Sequence, residues 1–295
     1  MVAGETTLVE LTTRFFAETQ NGMSLTATKG ELMDLGLSGK SALVTGGSRG
    51  IGRATALTLA REGCRVSICA RGQDTLDATL GELNAISSNA WGTTADVTDR
   101  EDVERLVSEA SANLGGLDIV VCNVGGSSGG GILEATDEDW MATLDLNLFH
   151  SVRTIRAAVP LMKERGGGSV VMVSSISGWK PGPGAQYGTA KAAEIFLSSS
   201  LALELAPFGI RVNTVSPGSI MFPGGGWDRY QQSDPEGMAR FLDVDLPEHR
   251  LGSDQEIADV IAFVSSDRAR WINGANIPVD GAQARPTARW YDHAQ

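Results

Sequence analysis

Tyr187 and Lys191 stand four residues apart in Tyr187-Gly188-Thr189-Ala190-Lys191. On a helix that spacing puts both side chains on one face. A tyrosine, with a reference pKa of about 10, exchanges protons poorly near neutrality. Bringing it down by about three units takes about 4 kcal/mol. One cation about 4 Å away, at an effective dielectric of about 20, supplies about that much. Lys191 is therefore sufficient to turn Tyr187 into a working general acid and base.

A second chemical element lies far upstream. A short apolar strand runs into Thr45-Gly46-Gly47-Ser48-Arg49-Gly50-Ile51-Gly52, which opens an Ala/Leu-rich helix. Glycines there permit positive φ and let backbone approach a pyrophosphate closely. The helix N-terminus adds free N–H groups and a partial positive charge. In a first strand–turn–helix unit this pattern predicts dinucleotide binding through Gly46, Ser48, Arg49, Gly50, Ile51 and Gly52. The second strand ends Cys69-Ala70-Arg71-Gly72, with no acid to hold an NAD ribose and repel a 2′-phosphate. Arg71, with Arg49 in the turn, suits a phosphate through paired charge-assisted hydrogen bonds. The expected cofactor is NADP(H), with NAD(H) second.

The ordered set of motifs resembles the short-chain dehydrogenase/reductase family, in its single-domain Tyr-x-x-x-Lys branch, over about Leu37 to Ala282. The set comprises the Thr-Gly-x-x-x-Gly-x-Gly turn, Cys122-Asn123-Val124-Gly125, Asn147 in a helix, Ser174-Ser175, the Tyr–Lys pair and Pro217-Gly218. The resemblance implies a catalytic set of Ser175, Tyr187, Lys191 and Asn147. Ser174 is the structural neighbour, Lys191 also binds the nicotinamide ribose, and Asn147 helps hold a water leading to Lys191. It implies further cofactor contacts at Asp96 and Val97 near the adenine, at Asn123 and Gly125, and at Pro217, Gly218 and Ile220 beside the nicotinamide. A hydrogen bond from Ser175 to a carbonyl oxygen would tighten as negative charge grows there. No metal is expected, since His150, His249 and His293 lack ligand spacing. Relatives similar to 3-oxoacyl-carrier-protein reductases are usually tetramers, so a homotetramer is expected.

These groups need a scaffold, and from Ser41 onward strand and helix patterns alternate. Strands are expected at Ser41–Thr45, Arg65–Ala70, Trp91–Ala95, Asp118–Cys122, Ser169–Val173, Arg211–Val215 and Ala275–Val279. Helices are expected at Ile51–Glu62, Thr75–Ala85, Arg100–Asn113, Asp137–Met162, around Ala190–Leu205 and at Asp254–Ser265. The expected fold is α/β, a single-domain Rossmann-type doubly wound parallel sheet with helices on both faces, over residues 37–284. Residues 1–36 read as an N-terminal extension, loosely docked or a short amphipathic helix on Leu8, Leu11 and Phe15, and Met33 would serve as an alternative start. Residues 285–295 read as a C-terminal tail.

The 295 residues carry 24 Lys+Arg against 36 Asp+Glu, a net charge of −12 with no basic run, which argues against nucleic acid. No apolar stretch is long enough to span a bilayer, and no secretory signal opens the chain, so a cytoplasmic protein is expected. Cys64, Cys69 and Cys122 read as buried, reduced thiols.

Two departures from the family pattern stand out. Cys122 and Val124 replace the usual Asn and Ala, with little effect expected on chemistry. Phe222 stands where the family commonly has a carboxamide-binding threonine. Residues 219–250 are the expected substrate lid; their apolar side chains Trp227, Tyr230, Met238 and Phe241 could face substrate or cover the fold's own core. The expected function is NADP(H)-dependent interconversion of a ketone and a secondary alcohol, most like a 3-oxoacyl reductase. The alternatives are an alcohol, sugar or steroid dehydrogenase working oxidatively, and a non-catalytic NADP(H)-sensing protein.

Overall fold

Strands such as Ile-Val-Val-Cys and Gly-Ser-Val-Val-Met-Val are apolar at successive positions, as strands covered on both faces must be. The computed structural model describes residues 33–87 and 90–288. The expected helix on Leu8, Leu11 and Phe15 lies outside them. In chain order the elements are β1 (Ser41–Val44), α1 (Gly50–Arg61), β2 (Arg65–Ala70), α2 (Gln73–Ile86), β3 (Trp91–Thr94), α3 (Arg100–Leu114) and β4 (Ile119–Cys122). Then come α4 (Asp137–Leu144), a π-helical turn (Asp145–Phe149), α5 (His150–Glu164), β5 (Gly168–Val173), α6 (Ala185–Leu205) and β6 (Ile210–Pro217). The rest are β7 (Ile220–Met221), α7 (Gly226–Ser233), α8 (Pro235–Asp245), β8 (Gly252–Ser253), α9 (Asp254–Ser265) and β9 (Asn276–Val279).

Seven strands form one parallel sheet in the order β3-β2-β1-β4-β5-β6-β9. Side chains alternate faces along each strand. Val44, Ile68, Val121 and Val173 pack with Leu57 and Leu59 of α1 and Ile257 and Ile261 of α9. Leu43, Cys69, Val120 and Met172 pack on the other face with Leu106 of α3, Ile155 of α5 and Leu205 of α6. This is the expected doubly wound fold. The chain runs from β1 out to the β3 edge and returns to place β4 beside β1. Their carboxyl ends therefore form the switch point where such sheets bind ligands.

The expected long helical stretch from Asp137 to Met162 is helical throughout, with a π-helical turn at 145–149, and runs on to Glu164. One expectation needs correction. Residues 219–250 are a folded unit instead of a long loop. Asp234 caps α8 by accepting the Gly237 N–H at 2.8 Å, with Pro235 in the first turn. Trp227 stacks on Phe241 at 4.7 Å, and Met238, Phe241 and Leu246 bury themselves together with Ala288. These side chains cover a small core of their own. The tail residue Arg285 pairs with Asp245 at 2.9 Å, so 285–288 dock on the same unit.

Candidate active site

The glycine turn follows β1 and is shaped by what surrounds it. Gly46 and Gly50 hold φ of +64° and +50°. A Cβ on Gly52 would collide with the Gly46 carbonyl oxygen and lie 2.5 Å from Asn123 Nδ2. Arg49 opens α1 exposed, and no side chain among the described residues caps that terminus. By contrast α3, α4 and α9 are capped by Asp99, Thr136 and Ser253. A glycine cradle in front of uncapped N–H groups fits a dinucleotide pyrophosphate. Ser48 is half-buried and Ile51 packs its side chain on the core.

Asn123 braces this turn: its Nδ2 donates to the carbonyls of Thr45 at 3.1 Å and Gly46 at 3.3 Å, and its N–H to Thr45 Oγ1 at 3.0 Å. Arg71 sits exposed just past β2. The Thr98 hydroxyl and N–H hold the Asp96 carboxyl below the usual range, and Arg71 adds to this from across the gap. Val97 is buried in the core. The Pro217–Gly218 bend is fixed by the Gly218 N–H bonding to Val279 O at 3.0 Å, while the Ile220 side chain lies in the core, leaving only its backbone for a ligand. Phe222 presents its ring to Gly50: a Cβ there would sit 2.9 Å from two ring atoms. An aromatic ring is thus laid against the glycine turn.

Ser174 and Ser175 leave the end of β5. Ser174 Oγ donates to Lys191 O at 2.8 Å, tying the strand end to α6. Ser175, half-buried, accepts the Ser177 N–H at 3.1 Å and starts a short 3-10 turn. That turn packs directly on α6, since a Cβ on Gly188 would lie 3.0 Å from Ser177 O and one on Gly178 2.9 Å from Lys191 O. These small residues let the turn that Ser175 starts pack on the part of α6 that carries Tyr187 and Lys191. Tyr187 is half-buried on the first turn of α6, with the Lys191 ammonium 5.8 Å from its ring centre.

Lys191 is fully buried and donates to Val173 O at 2.9 Å. Its Nζ also lies 2.9 Å from Glu194 Oε2. Burial disfavours the ammonium, but Glu194, aided by Tyr187, more than restores it and raises Lys191 above the ordinary lysine range. Asn147 occupies the π-helical turn. Its Nδ2 donates to Thr143 O at 2.6 Å and Gly126 O at 2.7 Å, and its Oδ1 accepts the Gly126 N–H at 3.2 Å. The Gly125 backbone passes between the two groups: a Cβ there would lie 2.8 Å from Asn147 Oδ1 and 2.9 Å from Lys191 Nζ. Asn147 and Lys191 thus face each other across the Gly125 backbone beyond β4, and Ser174 ties the end of β5 to α6 at Lys191.

Sequence reasoning passed over three buried neighbours. Glu194, Ser151 and His150 are each fully buried beside the set. Glu194 carried a usable signal, an acid three residues after Lys191 on one helix face. His150 joins Asn147 O at 3.0 Å through Nδ1 and Thr45 Oγ1 at 3.2 Å through Nε2. Burial, helped by Lys191, pushes its pKa down from 6.5 to about 4, so it is neutral at pH 7. Cys64, Cys69 and Cys122 are free and buried, as expected; burial raises Cys64 to about 12 and Cys69 to about 11. No helix among the described residues is long and apolar enough to cross a membrane.

A parallel sheet with its site at a switch point, and a Ser–Tyr–Lys–Asn set beside a glycine cradle, define a nicotinamide-dependent oxidoreductase class. The family described as short chain dehydrogenase matches residues 40–224, and the chain belongs to that family. The human dehydrogenase/reductase SDR family member 4 is 38% identical over 247 residues, covering 83% of this chain and 87% of that protein. The 3-oxoacyl-[acyl-carrier-protein] reductase FabG of Staphylococcus aureus is 36% identical over 244 residues, covering 82% and 97%. Among solved structures, L-sorbose reductase from Gluconobacter frateurii, complexed with NADPH and L-sorbose, superposes with a TM-score of 0.81 at 33% identity, covering 85% and 98%.

Proposed function

We propose that this chain is an NADP(H)-dependent ketoreductase that interconverts a ketone and a secondary alcohol, most like the 3-oxoacyl reductases. The observation that carries this is the packing of the turn that Ser175 starts against Gly188 and Lys191 of α6, the helix whose first turn carries Tyr187. When bound, the nicotinamide cofactor supplies or accepts the hydride. The Ser175 hydroxyl holds the carbonyl oxygen and gains strength as charge develops there. Tyr187 donates its proton to that oxygen in reduction and removes it in oxidation. Lys191 stabilises the phenolate and holds the cofactor ribose, while Asn147 keeps the Gly125–Gly126 backbone in register with both. Arg71 and Arg49 support a 2′-phosphate, and they carry the choice of NADP(H), since similar structures hold either NADPH or NADH.

Residues 219–250 cover the substrate mouth in this proposal, as a folded flap. Phe196 and Leu203 on α6 are 76% and 82% exposed, which supports pairing of α6 with a second copy; a homotetramer and a cytoplasmic location are part of the same proposal. The test is consumption of NADPH and of NADH against 3-oxoacyl thioesters, ketoses and oxo-steroids, run beside Tyr187→Phe. Turnover of one class with NADPH, lost in Tyr187→Phe, is expected. Tight NADPH binding with no turnover of any ketone would favour a redox-sensing protein instead.

A further inference from the structure

α6 places Glu194 one turn beyond Lys191, and its side chain is sealed from water. Glu194 Oε2 lies 2.9 Å from Lys191 Nζ, while Oε1 accepts from Ser151 Oγ at 3.3 Å. The same hydroxyl is 3.1 Å from Asn147 O. A continuous buried path therefore joins Lys191, Glu194, Ser151 and the backbone of Asn147. A buried ion pair is a weak source of stability, because apolar residues of similar volume commonly do as well. Its placement against the lysine that serves Tyr187 gives it another purpose.

We infer that Glu194 is a positioning residue, which orients the Lys191 ammonium and damps the field that this ammonium exerts on Tyr187. A lysine alone acts on the phenol as a full positive charge; a lysine in contact with a carboxylate acts as one end of a short dipole, whose field is weaker and falls off faster. The inference rests on the proposed role of Tyr187 as acid and base. The groups facing the pair are few. Tyr187 lies on the same helix, Cys122 approaches from β4, and His150 and Ser151 come from α5, with Arg153 a turn further on. His150 is neutral at pH 7, and burial holds the Cys122 thiol protonated. Burial pushes the Glu194 carboxyl above its ordinary range while Lys191 and Ser151 oppose the rise, and among the described residues it is this pair that sets the local field.

The test uses the full-length protein and two substitutions, E194Q, which keeps the shape, and E194M, which replaces the acid with an apolar chain of similar length. Two readouts are taken. One is the near-ultraviolet absorbance of tyrosinate in the cofactor-free protein as pH rises, with Tyr187→Phe subtracted so that Tyr230 and Tyr291 drop out. The other is the basic limb of kcat/KM for NADPH-dependent ketone reduction. With the acid gone the ammonium is still held by Val173 O at 2.9 Å. Where it keeps its proton Tyr187 meets the undamped lysine, so both midpoints should fall by about one pH unit, the size expected of one buried charge at an effective dielectric of about 20. A lysine that loses its proton would raise them instead. E194D should return them towards wild type. If either variant fails to fold, the other carries the same expectation. Midpoints that stay put or rise in a folded variant would overturn the inference. A fallen tyrosinate midpoint in a protein that reduces no ketone would uphold it and overturn the proposed activity.

Discussion

His150→Gln should remove an acid-sensitive part of the stability of this fold. The imidazole is fully buried between Asn147 O and Thr45 Oγ1, and its pKa falls from 6.5 to about 4 because burial, and then Lys191, oppose its charge. In the unfolded chain the same ring protonates near 6.5. The folded state therefore binds fewer protons between these values, and the stability it holds above pH 6.5 is lost as pH falls towards about 4. At about 1.4 kcal/mol per unit, the displacement corresponds to about 3 kcal/mol. Glutamine keeps a hydrogen-bonding side chain there and does not titrate. Urea unfolding of both proteins, followed by far-ultraviolet circular dichroism at a series of pH values from 7 downward, measures the difference. The wild type should lose about 3 kcal/mol more than the variant over this window. Carboxylates such as Glu256, which Arg250 holds down at about 2, titrate in both proteins and cancel. Parallel curves for the two proteins would refute the argument.

Gly125→Ala puts a methyl 2.8 Å from Asn147 Oδ1 and 2.9 Å from Lys191 Nζ, so kcat/KM should fall about 100-fold and Tm should fall too, by what about 1–3 kcal/mol of overpacking removes, as kinetics and calorimetry would show. Ala70→Asp with Arg71→Ala should move the ratio of kcat/KM for NADPH over NADH by about tenfold or more towards NADH; an unchanged ratio counts against the assignment of Arg71. Phe222→Thr takes the ring off Gly50 and restores a hydroxyl, so calorimetric titration should show NADPH binding tightened by up to about tenfold.

The strands and most helices were legible because apolar runs and caps state them locally. Arg65–Ala70 and Asp254–Ser265 match residue for residue. The π-helical turn was not, since no residue type in Asp145–Phe149 marks it and the Asn147 bonds to Gly126 that accompany it join residues far apart in the chain. Helix α8 was legible in principle from Asp234-Pro235, an N-cap and first-turn pair. The aromatic residues of 222–241 carried no such mark. Composition cannot tell Phe241, which fills its own small core, from Phe222, which lies on the glycine turn. Motif order located Ser175, Tyr187 and Lys191 but not Glu194, whose meaning depends on a contact within α6.

That contact alters the physical case for the Tyr–Lys pair. Treating Lys191 as an isolated cation makes it sufficient to turn Tyr187 into a base. With Glu194 Oε2 at 2.9 Å, the ammonium is part of a nearly neutral unit, and the field left over at the phenol is smaller. A phenol under a weaker positive field keeps its proton more readily, which suits the donor that carbonyl reduction needs better than the base that alcohol oxidation needs. The oxidised nicotinamide of the alcohol-oxidising direction brings its own positive charge and would compensate in part. The ratio of reductive to oxidative kcat at pH 7 should therefore fall in E194Q, and a ratio that holds or rises would separate the direction of the reaction from the charge on Glu194.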